Sequence, residues 1–498
     1  MITRVWLTKK LCPMVSLTIG LAGLLSSCVT YVGISHQQHL KNPAQFQTTM
    51  SLKGQEGRWP SYDWATQFGD RQLVSLISEA LAKNPDLDAA KARIRQADAV
   101  IYERQSVLFP RIDFQGYFAR NKTLTNGVML PSASNSWQSI DLSVLNVNYE
   151  LDFWGKNYAH LAQALSNKKV SQASAQTASL ILATNIASTY NELAYNYAFQ
   201  EISKATVTLW KTLYLITKVR IDSGLDTQIE LYQVRNLQAT AQTQLTAIEG
   251  QLTIIKQRLG ILLGGGPDRG LSIHPPKLRY FHQPPLPNNL PLALLGRRPD
   301  IVAARWQVEA ALFGVRNSKA MFYPNINLRA TAGYLSFGLS HFFSNTNQLS
   351  SLTPAVSLPI FDAGVLRAQL RGRYATLDEA IAIYNSTLNQ ALGDVAQQLA
   401  SIRSIDDQLR VEQQALDSAR QAFVLSKKQY RIGLTTQLVV LNIKIRYLIE
   451  QQNRLNLIKT RRNLQVALIK ALGGGFRERL LTKTNVSLNG HLEKDAYV

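Results

Sequence analysis

Three carboxylates are spaced as if to act together. In RIDSGLDTQIEL, Arg220 to Leu231, the residues Asp222, Asp226 and Glu230 fall four apart, on one helical face if the helix runs on through Gly224. Carboxylates so stacked suit acid–base work or cation binding, but no pocket can be argued around them, and the plainer reading is solvated charge at a helix tip. The glycine triplets 264–266 and 473–475 invite a phosphate-loop reading, yet neither is followed by Lys-Ser/Thr, and Pro267 blocks a helix start of the required kind. They read as helix terminators. The seven histidines show no metal spacing, and no Ser/His/Asp set can be assembled. The sequence therefore points to no enzyme and no cofactor.

The two cysteines are Cys12 and Cys28, both near the N-terminus, which excludes a disulfide framework or zinc site. Arg4, Lys9 and Lys10 precede an apolar run of about fifteen residues, short of the roughly twenty a span needs and suited to a secretory signal. The run ends in Leu25-Ser26-Ser27-Cys28, a box like that of bacterial lipoproteins, which makes Cys28 the expected acylated first residue. Several acyl chains on one residue anchor stably where a single chain does not. Val29, not Asp, follows, which in such lipoproteins usually means sorting to the outer membrane. The net charge is +21. Its Lys and Arg are scattered along helical patterns with no run of five or six, so a nucleic-acid partner is not expected.

The elements that must position these residues are written twice. NPDLDAAKARIRQADAVIYERQSVLFPRI (84–112) is answered in register by RPDIVAARWQVEAALFGVRNSKAMFYPNI (298–326), with Pro85 and Pro299, and Pro110 and Pro324, each 214 apart. Gly224 and Gly433, and Gly264 and Gly473, are 209 apart. Each half opens with a helix starting on Pro and Asp and stopping before the second Pro. Period-two alternation follows, with Ile112, Phe114, Gly116 and Phe118 sharing one face in the first half. Ile326, Leu328, Ala330, Ala332 and Tyr334 do so in the second, with Asn327, Arg329 and Thr331 opposite. A polar loop and a return strand come next, predicted at Leu142–Phe153 and Ser351–Phe361. These strands have membrane-crossing length, about ten residues. Trp137, Tyr117, Tyr334, Phe342 and Phe343 near strand ends suit an interfacial girdle or ordinary loop packing. From Lys156 to Ser223 there is neither Gly nor Pro, and helical pattern runs again from about Gly364 to Leu472, broken near Gly433. Each half is thus expected to hold a long helical hairpin with Gly224 or Gly433 at its tip.

Four membrane-length strands pose a problem, because an open sheet in hydrocarbon leaves its edge N–H and C=O groups unpaired. Bacterial barrels start at eight strands. The strands must close with those of other copies or lie outside the membrane.

With these features in place, RRPDIVAARWQVEAALFGVRNSKAMFYPNINL, LPIFDAG and ALGGGF, joined to the LSSC box, resemble the TolC-like outer-membrane efflux proteins, and most closely their NodT-type lipoprotein branch. The resemblance runs from about Asp63 to Phe476. It implies a mainly α fold with a membrane β-barrel portion: a homotrimer with a twelve-strand barrel on a twelve-helix tunnel closed at its periplasmic tip. It also implies docking to a periplasmic adaptor and an inner-membrane pump of the resistance–nodulation–division class, with drugs or other small toxic molecules passing outward. The family's adaptor-docking tips map to Arg220, Gly224 and Leu225 and to Arg431, Gly433 and Leu434. Its gating carboxylates map to Asp222, Asp226 and Glu230. The second tip departs from that pattern, with Thr435 and Thr436 where relatives frequently carry an Asp and no acid between Asp417 and Glu450.

The expected divisions are a signal peptide (1–27), a lipid-anchored segment (28–70), a first repeat (71–274), a proline-rich linker (275–291), a second repeat (292–476) and a tail (477–498). Two other readings stay open: an outer-membrane channel for type I protein secretion, and a structural periplasmic lipoprotein without a pore.

Overall fold

The computed structural model describes residues 31–42, 45–48, 50–52, 59–122, 137–277 and 294–478. The signal segment with Cys28, the linker from 278 on, most of the first inter-strand loop and the tail beyond 478 lie outside them.

The described chain is mostly helical. Helices α1 (Arg71–Lys83) and α2 (Pro85–Ser106) lead to strands β1 (Arg111–Lys122) and β2 (Trp137–Leu151), then to the hairpin α3 (Lys156–Asp222) and α4 (Gln228–Leu262). The second half repeats the order with α5 (Pro299–Ala320), β3 (Asn325–Ser336), β4 (Gln348–Ser357), α6 (Val365–Arg431) and α7 (Gln437–Ala471). The duplication holds to the residue: α3 and α6 are 67 residues each, α4 and α7 are 35 each, and every one of their ends is offset by 209 positions. At about 1.5 Å per residue the long helices measure roughly 100 Å. Strand β4 ends not at the expected Phe361 but at Ser357, where it pairs with Asn325, the first residue of β3.

Two compact units can be told apart. The first (1–40, 93–171, 304–384) contains the sheet. An extended segment there is pinned to α6, with the Gln37 and Gln38 N–H groups donating to the Asp378 carboxylate at 2.8–3.1 Å. The second unit (41–92, 172–303, 385–498) holds the main apolar cluster. There Trp64, Phe68 and Leu73 pack with Ile186, Tyr190 and Leu193 of α3 and with Leu252, Ile255 and Leu259 of α4. Tyr190 is fully buried yet satisfied: its hydroxyl donates to Asp70 (2.8 Å) and accepts from Gln72 (2.7 Å).

In each half a polar residue just ahead of a helix, α2 or α5, catches the C-terminus of the hairpin's return arm. Asn84 Nδ2 donates to Leu262 O at 3.0 Å in the first. In the second, Arg298 Nη1 donates to Ala471 O at 3.3 Å while its guanidinium also pairs with Asp300 (2.6 Å) and Asp394 (3.2 Å). Both tie up carbonyls that a helix end leaves without partners.

Candidate channel wall and hairpin tips

The four strands form one antiparallel sheet in the order β1-β2-β3-β4. Its register aligns Ile112, Val147, Ala330 and Leu352 in one cross-strand row and Phe114, Leu145, Ala332 and Ser350 in the next. Because side chains alternate, these rows share a face. The opposite face carries Arg111, Asn148, Arg329 and Thr353, then Asp113, Asn146, Thr331 and Ser351. The apolar face is bare: Phe114 is 67 % exposed and Leu352 and Val356 are 69 % exposed. Its partner face is a polar hollow of about 500 Å³, where Thr331 Oγ1 donates to Asn146 Oδ1 (2.9 Å) and Arg111 Nε to Asp113 (2.9 Å). Large exposed apolar faces mark contact with lipid or protein. Apolar-out, polar-in alternation is what a membrane barrel wall requires. Gly333 lets β2 and β3 approach closely, since a Cβ there would run into Ser143 O and Val144 Cα.

Of the expected aromatic girdle, Tyr334, Phe342 and Phe343 come together with Phe118, the Phe342 and Phe343 centroids 4.9 Å apart and Phe118 5.9 Å from Phe342. Trp137 stands apart under the Arg120 guanidinium (5.6 Å), and Tyr117 lies on the other face from Phe118. Among the described residues no helix is long and apolar enough to cross a membrane.

At the first tip the helix does not run through the turn. Helix α3 ends at Asp222, Gly224 takes φ +74°, and α4 starts after Thr227. Leu225 N donates to Arg220 O and Gly224 N to Ile221 O, both 2.8 Å, a glycine-closed helix end. The premise that Asp222, Asp226 and Glu230 share one face is thereby corrected, because the turn redirects each of them. Asp226 accepts a two-pronged bond from Arg220 (2.7 and 2.9 Å), which holds its carboxyl below the usual range. Glu230 closes a capping box with Thr227 and is held low by that bond. Asp222 is the last helical residue.

The second tip has the same backbone, with Gly433 at φ +80° and Leu434 N donating to Gln429 O at 2.9 Å. This superposes Gln429 on Arg220 and Arg431 on Asp222. The two tip arginines are therefore not equivalents, and the second tip has a base where the first has an acid. Thr436, unlike Thr227, makes no side-chain cap. Both tips expose apolar residues: Leu225 (65 %), Ile432 (69 %) and Leu434 (74 %).

Sequence reasoning missed the Arg298–Asp300–Asp394 cluster and the Arg461–Asp406 pair (2.6 Å). A signal for the first was present, since Arg298 sits 214 positions after Asn84 and replaces it at the helix start.

Comparison with known proteins agrees with this geometry. The outer membrane efflux protein family matches residues 76–265 and 290–474. The multidrug resistance outer membrane protein MdtQ of Escherichia coli O157:H7 is 30 % identical over 449 residues, 87 % of this chain and 92 % of that protein. The fusaric acid resistance protein FusA of Burkholderia cepacia is 34 % identical over 319 residues, 63 % and 59 % of the two chains. The crystal structure of the outer membrane protein VceC from Vibrio cholerae superposes with a TM-score of 0.77 at 34 % identity, over 84 % of this chain and all of that one. The chain belongs to the outer membrane efflux protein family.

Proposed function

We propose that this outer-membrane efflux channel works as a homotrimer, the exit duct of a tripartite system that moves small toxic molecules or drugs from the cell. The observation that carries this reading is the four-strand sheet with one bare apolar face, one polar face and two unpaired edges. Three copies give twelve strands, which closes both edges and satisfies the backbone in lipid. The α3–α4 and α6–α7 hairpins of three copies would supply the twelve-helix tunnel. The outer membrane lipid meets the apolar face, and Cys28 carries the lipid anchor.

The exposed tips, with Gly224 and Leu225 in one hairpin and Arg431, Gly433 and Leu434 in the other, suit docking of a periplasmic adaptor, which links the duct to an inner-membrane pump of the resistance–nodulation–division class. MdtQ and FusA are named for resistance to multiple drugs and to fusaric acid, and small-molecule cargo is the substrate class they support here. The periplasmic gate is built on the first tip, where Arg220 and Asp226 tie the turn and Asp222 stands free of the capping box. Glu230 contributes through that box rather than as a ring member.

Single-channel conductance of purified full-length protein in planar bilayers tests the reading, wild type beside an Asp222→Ala, Asp226→Ala, Glu230→Ala variant. Small, flickering conductance that rises in the variant is expected. Silence from both, in protein shown to be folded, would favour a lipoprotein spacer without a pore.

A further inference from the structure

Because the two hairpins are one object built twice, each serves as a control for the other. At the 209-residue offset one stretch of the second hairpin departs sharply from the first. In α4 the positions turned inward include Leu245 and Leu252, both buried, Leu252 within the apolar cluster. The equivalent positions of α7 are Arg454 and Arg461, with Arg462 beside them. Arg461 is as deeply placed as the leucine it replaces, its side chain 4 % exposed. Opposite, on α6, Asp406, Leu409, Arg410 and Gln413 fall on one helical face, and with Ile458 the two faces line an open cavity of about 610 Å³.

The charges of this cavity do not balance. Asp406 accepts from Arg461 Nε (2.6 Å), Gln413 accepts from Arg454 Nε (2.8 Å), and Arg410 turns to Asp407 on its own helix (3.1 Å). Arg461 Nη1 is buried with no hydrogen-bond partner. Burial pushes the Arg462 guanidinium below its ordinary value. An unmet buried donor on a cation is costly, and the first hairpin shows that the fold is satisfied by leucine at the same positions. The first hairpin also carries Tyr197 and Lys204 where Asp406 and Gln413 stand, so the arginines tie α7 to α6 through Nε and still leave Arg461 Nη1 unmet.

We infer that the seam between α6 and α7 is a binding site for a small amphiphilic organic anion, its carboxylate or sulfonate held by Arg454 and Arg461 and its apolar body by Leu409 and Ile458. Guanidinium forks match such oxyanions two bonds at a time, and the cavity lies in the size range of small-molecule sites. The first hairpin lacks the site, since Leu245, Leu252 and Glu249 stand where Arg454, Arg461 and Ile458 stand in the second. The inference goes beyond the duct reading and concerns binding, which is measured without conduction.

Isothermal titration of the full-length, detergent-extracted protein with 4-butylbenzoate tests it, with acetate and benzyltrimethylammonium as comparators and light scattering to follow oligomeric state. The R454L/R461L variant installs the residues the first hairpin already uses. The expected result is saturable binding of 4-butylbenzoate to wild type, at least tenfold weaker in the variant, weaker still for acetate and absent for the cation. Equal affinity in wild type and variant, or equal uptake of the cation, overturns the site. So does a wild type that binds nothing while the variant dissociates into monomers, because the arginines would then serve a neighbouring copy. If the double variant loses helix content, R454L alone, which keeps the Asp406–Arg461 pair, is expected to weaken binding at least threefold.

Discussion

Arg298 ties three elements at one point, and removing it should cost more than any exposed ion pair of the chain. Its side chain is 10 % exposed and bonds Asp300 beside it, Asp394 of α6 and the Ala471 carbonyl at the end of α7. Breaking a buried pair by deleting one partner costs about 3–5 kcal/mol. Asp300 and Asp394 are 33 % and 34 % exposed, so water takes over part of their solvation and the lower end applies, about 3 kcal/mol for Arg298→Ala. Arg298→Asn copies what Asn84 does in the first half and keeps the bond to the helix-end carbonyl, which should return about 1 kcal/mol. Denaturant titration in detergent, followed by far-ultraviolet circular dichroism, reads these as shifts in midpoint at constant slope. A midpoint for Arg298→Ala within about 0.5 kcal/mol of wild type, the range of ordinary surface changes, would refute the reasoning. Equal loss in both variants would refute the claim that the carbonyl bond matters.

Four further outcomes are expected. The Arg220–Asp226 pair persists above the ordinary carboxylate range and is lost as pH falls through the depressed Asp226 value. Wild-type conductance should therefore stay low down to about pH 4, while Asp226→Asn should be raised throughout, as bilayer recordings across pH would show. The Glu412 carboxyl is pushed up by burial and by Glu450, so stability should fall as pH rises from the unfolded value of about 4.3 through the folded one. Glu412→Gln should flatten that fall in denaturant titrations from pH 4 to 7. Gly333→Ala drives a Cβ into the β2 backbone, should cost about 3 kcal/mol, and should abolish assembled barrel on unheated gels. Cys28→Ser should remove the acyl mass from the mature protein by intact mass spectrometry.

The helices and strands were legible because their signals are local. Pro85 and Pro299 set helix starts, period-two alternation marked β1 and β3, and the absence of Gly and Pro from Lys156 to Ser223 announced a long helix that ends one residue earlier, at Asp222. The tip was misjudged because spacing alone assumes one continuous helix, whereas Gly224 reverses the chain and brings Asp226 back onto Arg220. Matching the tips by their shared Arg-Ile and Gly-Leu pairs likewise set Arg220 against Arg431, although the backbone pairs Arg220 with Gln429. The arginine seam was readable in principle: writing the second hairpin under the first at the helix offset sets Arg454 and Arg461 beneath leucines. Gly224 with Gly433 and Gly264 with Gly473 already give that offset; what it leaves open is which residues of α6 face the arginines.

The meeting of Asn84 with Leu262, and of Arg298 with Ala471, has a mechanical meaning. At each place one helix stops and another begins, held by side-chain bonds rather than by a peptide ladder. Such a splice carries thrust along the axis but resists bending less than an unbroken helix does. Flexing of the second unit should therefore concentrate at residues 84 and 298. The asymmetry between them, one amide against a guanidinium with two carboxylates, makes the first splice the softer hinge. Strain in the second unit is then taken up first at residue 84, while residue 298 stays braced.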